Sequence, residues 1–200
     1  MAAREELEGS LTALRTDHVD LYQLHALITM EDVDTVFGPG GAMETFLAAR
    51  DEGKVRNIGF SAHTEEAAVA AMDRFDFDTT LFPINCVCIE NGGFGPAVIA
   101  KAAEKSVSIL AIKGLAWTPV VDRNNKPYPN CWYRPIEDPD LARLSIGYTL
   151  DQPVVAAVSP ASAELLMLAV EVGLRYGPLT DARRADLMQR IEGVPPIFPH

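Results

Sequence analysis

The stretch that decides the fold is SLTALRTDHVDLYQLH, residues 10–25, in which a helical pattern gives way to a strand pattern. Leucines recur at helical spacing over residues 5–14, and the polar pair Thr16-Asp17 marks the end of that helix. Residues 19–25 then place a valine, a leucine and a glutamine on one face of a β-strand that ends at a histidine. A helix that leads directly into a strand is one step of an α/β alternation.

The same alternation continues to the end of the chain. Further strands are predicted over residues 55–61, 79–89, 107–115 and 154–158. Further helices are predicted over residues 42–52, 64–75, 96–105 and 141–150, with two more beginning near Ser162 and Thr180, and residues 117–139 are predicted to be a long loop. Strands without polar alternation are typical of parallel sheets that helices cover on both faces, so we predict an α/β fold. Periodicity also allows a doubly wound open sheet, although no G-x-G-x-x-G follows a strand here.

Composition favours a single globular domain over residues 1–200. The chain is 48% hydrophobic, which is enough for one core. Its net charge of −11 argues against nucleic acid or an anionic membrane surface as a partner. The acidic N-terminus is unlike a signal peptide, and no apolar run reaches the ~18 residues that a membrane span needs.

Three cysteines in a chain without an export signal are typical of the reducing cytoplasm, where we expect the protein to be. Cys86 and Cys88 form a C-x-C pair, which would place both thiols on one face of the predicted strand over residues 79–89. Cys131 and a few scattered histidines are the only further metal ligands on offer. Buried structural thiols are therefore favoured over a metal site.

Three segments, taken in order, resemble one enzyme family. They are residues 10–25, the passage GKVRNIGFS at residues 53–61, and the pair LFPIN at 81–85 and AIKGLA at 111–116. Together they resemble the aldo-keto reductases. The segment CWYRP at residues 131–135 and the ending PPIFP at 195–199 are similar to a poorly characterised bacterial branch of that family.

The resemblance implies part of a barrel. Aldo-keto reductases are (β/α)8 TIM barrels, and the matching segments correspond to barrel strands 4 to 8 and their helices, so we expect an incomplete barrel. Catalytic groups in such barrels lie at the C-terminal ends of the strands. His25 matches the family's catalytic histidine, which polarises a substrate carbonyl by hydrogen bonding. By spacing alone, a satisfied histidine at a strand end is the favoured interpretation of His25, and the motif around it reverses that preference.

The resemblance also implies a nicotinamide cofactor. Ser61 matches a residue whose hydroxyl bonds the nicotinamide carboxamide, and Asn85 is a further expected cofactor contact. Ile112 stands where many relatives carry a tyrosine that stacks on the nicotinamide ring. Lys113 offers a cation to a cofactor phosphate, although a charge at a strand end often only reaches solvent. Ala62 departs from the asparagine that is common in the family, which puts one cofactor contact in doubt.

NADP is the cofactor that the resemblance predicts, with NAD as the alternative. Relatives place basic residues after the last barrel strand to bind the 2′-phosphate of NADP. The corresponding residues here, Ser159 to Glu164, include no lysine or arginine. The choice of NADP therefore comes from the family and not from these residues.

Most of the family's catalytic machinery is missing from the matching segments. The Asp, Tyr and Lys that accompany the histidine come from barrel units upstream of residue 10. We therefore expect a fragment of a reductase that converts an aldehyde or ketone to an alcohol, inactive or incomplete as this chain alone. The alternative is a non-catalytic remnant that binds a nucleotide or a partner. An incomplete barrel also leaves open strand edges, through which self-association is expected.

Overall fold

Helices and strands alternate along the chain in the computed structural model, which describes residues 2–122, 126 and 128–198. The described helices are α1 (Ala2–Leu14), α2 (Met30–Phe37), α3 (Ala42–Asp51), α4 (Glu65–Arg74), α5 (Cys86–Glu90), α6 (Pro96–Lys105), α7 (Pro139–Leu150), α8 (Ala163–Leu174) and α9 (Asp181–Ile191). The described strands are β1 (Val19–Leu27), β2 (Val55–Ala62), β3 (Thr79–Pro83), β4 (Ser108–Ile112), β5 (Ala116–Pro119), β6 (Tyr133–Pro135) and β7 (Ala156–Ala157). Pro199, the last residue of the PPIFP segment, lies outside the described residues.

The chain divides into two compact units. The first holds the residues up to Leu81 together with Ala100–Ser108, and the second holds Phe82–Ile99 together with the residues from Ile109 onward. The prediction of a single domain over residues 1–200 stays a prediction.

The first unit is built on parallel strands in the order β1-β2-β3. Leu24 of β1 lies opposite Phe60 of β2, and Phe60 lies opposite Thr80 of β3. The β2 side chains from Ile58 to Ala62 are buried, as expected of a strand covered on both faces. Helix α4 begins at a hydroxyl cap, because the Thr64 side chain accepts a hydrogen bond from the backbone of Ala67.

The second unit pairs β4 with β7 in parallel, with Leu110 opposite Ala156. Helices α5, α7 and α9 share one apolar cluster, formed by Cys86, Val87, Leu144, Tyr148, Leu187 and Ile191. Strands β5 and β6 form an antiparallel hairpin inside the stretch that was predicted to be a long loop. Tyr133 is the first residue of β6, and Trp132 immediately precedes it.

The predicted strand over residues 79–89 is wrong beyond Pro83. Asn85 ends the extended segment, because its side-chain oxygen accepts a hydrogen bond from the Cys88 N–H at 2.9 Å and so caps helix α5. Cys86 and Cys88 therefore lie on a helix and not on one face of a strand. All three cysteines are free and buried, and burial raises the pKa of Cys86 to about 11.

Helix α2 was also not predicted from the sequence. It begins at a capping box, in which Thr29 and Asp32 each accept a hydrogen bond from the backbone of the other. Its eight residues are too short for apolar periodicity to reveal. None of the described helices is long and apolar enough to cross a membrane.

Candidate functional site

His25 lies near the end of β1, in the first unit, and its side chain is exposed. The strand continues for two residues past it, to Leu27, through an irregularity: Ala26 has a φ of 55° and the pairing with β2 shifts register between Leu24 and Leu27. A positive φ is uncommon for a residue with a side chain. Such bulges are frequent beside active sites, where they change the direction of a side chain.

Ser61 of β2 holds this irregularity in place. Its hydroxyl oxygen accepts a hydrogen bond from the Ala26 N–H at 2.7 Å, and its hydroxyl lies 3.5 Å from the Leu24 carbonyl oxygen, to which it donates. The Ser61 side chain is only 4% exposed. The hydroxyl that the resemblance assigns to the nicotinamide carboxamide is thus bonded to the backbone on both sides of His25.

Lys113 follows the last residue of β4, in the second unit, and it also has a positive φ, of 68°. Two donors converge on its carbonyl oxygen: the Ala116 N–H at 2.8 Å and the Asn85 side-chain amide at 3.1 Å. Asn85 is fully buried, and its side-chain oxygen is already bonded to the Cys88 N–H. The amide of Asn85 therefore links the start of α5 to the end of β4.

The ammonium group of Lys113 lies over two aromatic rings. Its Nζ is 5.5 Å from the ring centroid of Trp132 and 5.1 Å from that of Tyr133. These distances are in the range of cation–π attraction. Burial lowers the pKa of Lys113, and no ion pair of Lys113 with a carboxylate occurs among the described residues. Among the described residues, Lys113 is thus a half-buried cation that no carboxylate neutralises.

Lys113 also lines a cavity of about 210 Å³ within the second unit. Tyr133 lines the same cavity, together with Val158 and Ser159 after β7 and an apolar face of α8 that includes Leu166 and Val170. The wall is therefore mainly apolar, with one positive charge. An arrangement of this kind suits a ligand that has a flat apolar part and an anionic group.

The structure joins some of the predicted site residues directly. In the second unit, Asn85 hydrogen-bonds to Lys113, and Ile112 is half-buried as the last residue of β4. In the first unit, Ser61 is connected to His25 through the backbone of Ala26. Whether these residues contact a cofactor stays a prediction.

Sequence reasoning missed the two aromatic residues that approach Lys113. Trp132 and Tyr133 belong to the CWYRP segment, which was noted for its resemblance and otherwise assigned to a loop. The pairing of Thr118 with Arg134 forms the hairpin that brings them to Lys113. The two adjacent aromatic residues inside the CWYRP segment were the signal that could have identified them.

The chain matches a known protein family in part, and its fold resembles those of solved structures. A model of the aldo/keto reductase family matches residues 2–129. The holo form of an aldo-keto reductase from Bacillus halodurans has a TM-score of 0.63 and 21% identity, covering 98% of this chain and 65% of that one. A glycerol dehydrogenase from Gluconobacter oxydans has a TM-score of 0.61 and 20% identity, covering 98% and 66%. No curated protein matches the chain significantly.

A third structure, an aldo-keto reductase from Bombyx mori in complex with NADP, has a TM-score of 0.61 and 17% identity, covering 99% of this chain and 69% of that one. These likenesses confirm the predicted α/β fold, an incomplete (β/α)8 barrel. The chain spans less than two thirds of the length of the Bacillus halodurans enzyme that it matches.

Proposed function

Since the chain belongs to the aldo/keto reductase family, we propose that it is part of an NADP-dependent oxidoreductase that interconverts a small-molecule carbonyl and an alcohol. The observation that carries this proposal is Lys113, which lines the cavity beside β4 and β7 and whose half-buried ammonium no carboxylate of the described residues neutralises. Ligands of TIM barrels bind at the C-terminal ends of the strands, and Lys113 directly follows such an end.

The residues of the cavity fit the anionic part of a dinucleotide. Lys113 supplies the positive charge that a cofactor phosphate needs, and Ser159 supplies a hydroxyl in the same wall. The volume of about 210 Å³ is below the ~300 Å³ at which pockets for whole ligands begin, so the cavity suits one portion of the cofactor. When bound, the nicotinamide supplies or accepts a hydride.

His25 is the proposed catalytic residue of this chain. It donates a hydrogen bond to the carbonyl oxygen of the substrate, which draws electron density from the carbonyl carbon as the hydride arrives. The Asp, Tyr and Lys expected of the family would come from barrel units that the matching segments do not include. Proton transfer to the new alcohol is therefore assigned to residues outside the matching segments.

Two further points are proposals of the same kind. NADP is the proposed cofactor because the Bombyx mori relative binds it, with NAD as the alternative since residues 159–164 carry no basic side chain. The Gluconobacter oxydans relative is a glycerol dehydrogenase, which favours a small alcohol or carbonyl as the substrate. A cytoplasmic location is proposed from the three free, buried cysteines.

A second candidate function is nucleotide binding without catalysis. The hydroxyl of Ser61 is engaged with the β1 backbone, and Ala62 stands where the family commonly has an asparagine. Both features reduce the contacts available to a nicotinamide ring. They leave the Lys113 cavity unaffected.

The test is titration of the full chain with NADPH, followed by tryptophan fluorescence, and then by turnover of a generic aldehyde. Lys113→Met is expected to weaken NADPH binding by about ten- to a hundredfold, because it removes a charge-assisted contact. The matched control is Lys101→Met, which removes the same charge where Asp73 and Glu104 neutralise it. Because the Asp, Tyr and Lys of the family are not in the matching segments, any turnover by this chain is expected to be slow. Slow turnover that His25→Ala abolishes supports the reductase, whereas NADPH binding with no turnover that depends on His25 supports the second candidate. No NADPH binding overturns both.

A further inference from the structure

We infer that Asn85, Trp132 and Tyr133 are positioning residues that together fix Lys113 so that its ammonium meets a phosphate-bearing ligand in the cavity. The inference rests on the proposed function for the identity of that ligand. It gives Asn85 a different role from the direct cofactor contact that the sequence predicts. The ligand that we propose for this cavity is one that carries a diphosphate group.

The backbone of Lys113 is the first part of the evidence. Arg15 and Ser106 also have positive φ values, of 56° and 58°, but each directly follows a helix, where the left-handed conformation is a common way to end it. Lys113 instead follows a strand. The next residue, Gly114, could adopt the left-handed conformation without strain, yet it is Lys113 that has the positive φ. Strain of this kind persists where the surroundings enforce it, and it is concentrated at ligand clamps and active sites.

Asn85 supplies much of that enforcement. Its amide donates to the Lys113 carbonyl oxygen at 3.1 Å, and its side-chain oxygen accepts from the Cys88 N–H at 2.9 Å. Both polar atoms of the side chain are thus engaged with the backbone, and the residue is 0% exposed. A group in this environment acts on a ligand through the residue that it holds, which is Lys113.

The aromatic pair fixes the other end of Lys113. Tyr133 is 3% exposed, so its ring is held in place by its surroundings, while Trp132 is 43% exposed and covers the ammonium from a more open position. The faces of the rings attract the cation but accept none of its N–H bonds as strongly as an oxygen would. The N–H donors of the ammonium therefore remain available to an anion.

The test uses inorganic pyrophosphate as the probe and the full chain as the protein. Asn85→Ser keeps a neutral side chain that caps a helix well, but it is too short to cap α5 and also donate to the Lys113 carbonyl. We expect pyrophosphate affinity to fall by about tenfold, the effect of losing one well-placed charge-assisted hydrogen bond. The control is Asn91→Ser in the same unit, since Asn91 donates to the carbonyl oxygens of Ile191 and Val194.

A second readout separates positioning from stability. If Lys113 leaves the aromatic rings for solvent in the Asn85→Ser variant, its pKa returns toward the ordinary value, and pyrophosphate affinity persists to higher pH than in the wild type. A loss of stability alone would leave that pH unchanged. Asn91→Ser is expected to lower stability while leaving both the affinity and its pH dependence as they are.

The outcomes distinguish the inference from the function on which it rests. Equal pyrophosphate affinities in Asn85→Ser and Asn91→Ser overturn the inference, as does a wild-type chain that binds no pyrophosphate. If the wild type binds NADPH in that last case, the proposed function stands. A wild type that binds pyrophosphate with the expected dependence on Asn85, but does not bind NADPH, supports the inference and overturns the proposed function.

Discussion

The backbone is constrained in a similar way at the ends of β1 and β4, but the constrained residue has a different role at each end. Each has a residue with a side chain in the left-handed conformation, and each is tied down by a polar side chain from another segment: Ser61 bonds Ala26, and Asn85 bonds Lys113. At β1 the constrained residue is an alanine beside the chemically active His25. At β4 the constrained residue carries the functional group itself.

The difference shows in how firmly each functional side chain is held. The Lys113 ammonium lies against two rings, whereas the exposed His25 imidazole has no hydrogen-bond partner among the described residues. Preorganised groups are the ones that stabilise charge effectively in catalysis and binding. The β4 end is therefore preorganised by its own unit, while at the β1 end only the backbone is fixed.

The largest effect is expected from removing the hydrogen bond between Ser61 and Ala26 at the end of β1. Ser61→Ala takes away the acceptor of the half-buried Ala26 N–H, so we expect the free energy of unfolding to fall by about 1–3 kcal/mol. Denaturant unfolding would measure the fall, and hydrogen exchange would show faster exchange at Ala26. Thr12→Ala, which removes an exposed hydroxyl bond on α1, is the control and should change stability by no more than about 0.5 kcal/mol.

A Ser61→Ala variant as stable as the wild type would contradict a constrained β1 end. The stabilising side-chain bond would then be a feature of the β4 end alone, and the bulge at Ala26 would not depend on the Ser61 hydroxyl.

These two ties also mark the limit of prediction from sequence. The strands ending near His25 and Lys113 and the helix over residues 96–105 follow from periodicity, which depends on neighbours along the chain. The bonds Ser61–Ala26 and Asn85–Lys113 join residues 35 and 28 positions apart, and no local pattern encodes them. The sequence thus identified the residues of both ends without the contacts that define their roles.

Helix α5 shows a different kind of failure. Its five residues, Cys86 to Glu90, continue the apolar run of β3, and a short apolar run has no period that separates helix from strand. The available signal was Asn85, a good helix cap immediately before the run. Because Asn85 was predicted to be a cofactor contact, its role as the residue that begins a helix was not predicted.

The next largest effect concerns the charge at β4. Burial lowers the pKa of Lys113 below its ordinary value, and the electrostatic effect of nearby Cys131 partly opposes that change. As pH rises through this lowered pKa, the ammonium is lost, so pyrophosphate affinity should fall by about tenfold before an exposed lysine would titrate. Burial raises the pKa of Tyr133, which therefore stays neutral in this window.

The sign for stability is opposite to that for binding. Between the lowered pKa of folded Lys113 and its ordinary value, the unfolded chain holds a proton that the folded chain has lost, so the contribution of Lys113 to stability rises with pH. Isothermal titration calorimetry across the alkaline range measures how pyrophosphate affinity changes with pH. In Lys113→Arg the guanidinium stays charged, so the affinity of this variant for pyrophosphate should not fall in the alkaline range. If the affinities of both proteins fall in parallel, the pH dependence comes from a group other than Lys113.

A smaller effect is expected from relieving the strain at the two ends. Ala26→Gly and Lys113→Gly should each raise the free energy of unfolding by about 0.5–1 kcal/mol, because glycine adopts a positive φ without a steric penalty. Only Lys113→Gly should also lose pyrophosphate binding. Chemical denaturation and titration of both variants check this. Loss of binding in Ala26→Gly would mean that the anion is not held by the β4 end alone.

The smallest expected effect tests whether the aromatic side of the β4 end adds to the hold of Asn85. Trp132→Leu should weaken pyrophosphate binding by about twofold, the equivalent of roughly 0.5 kcal/mol for one partly exposed cation–π contact. Trp132→Phe keeps a ring and should restore most of the affinity. If leucine binds as well as phenylalanine does, Tyr133 and the Asn85 tie hold Lys113 without Trp132, and the preorganisation of the β4 end comes mainly from the buried side of the cavity.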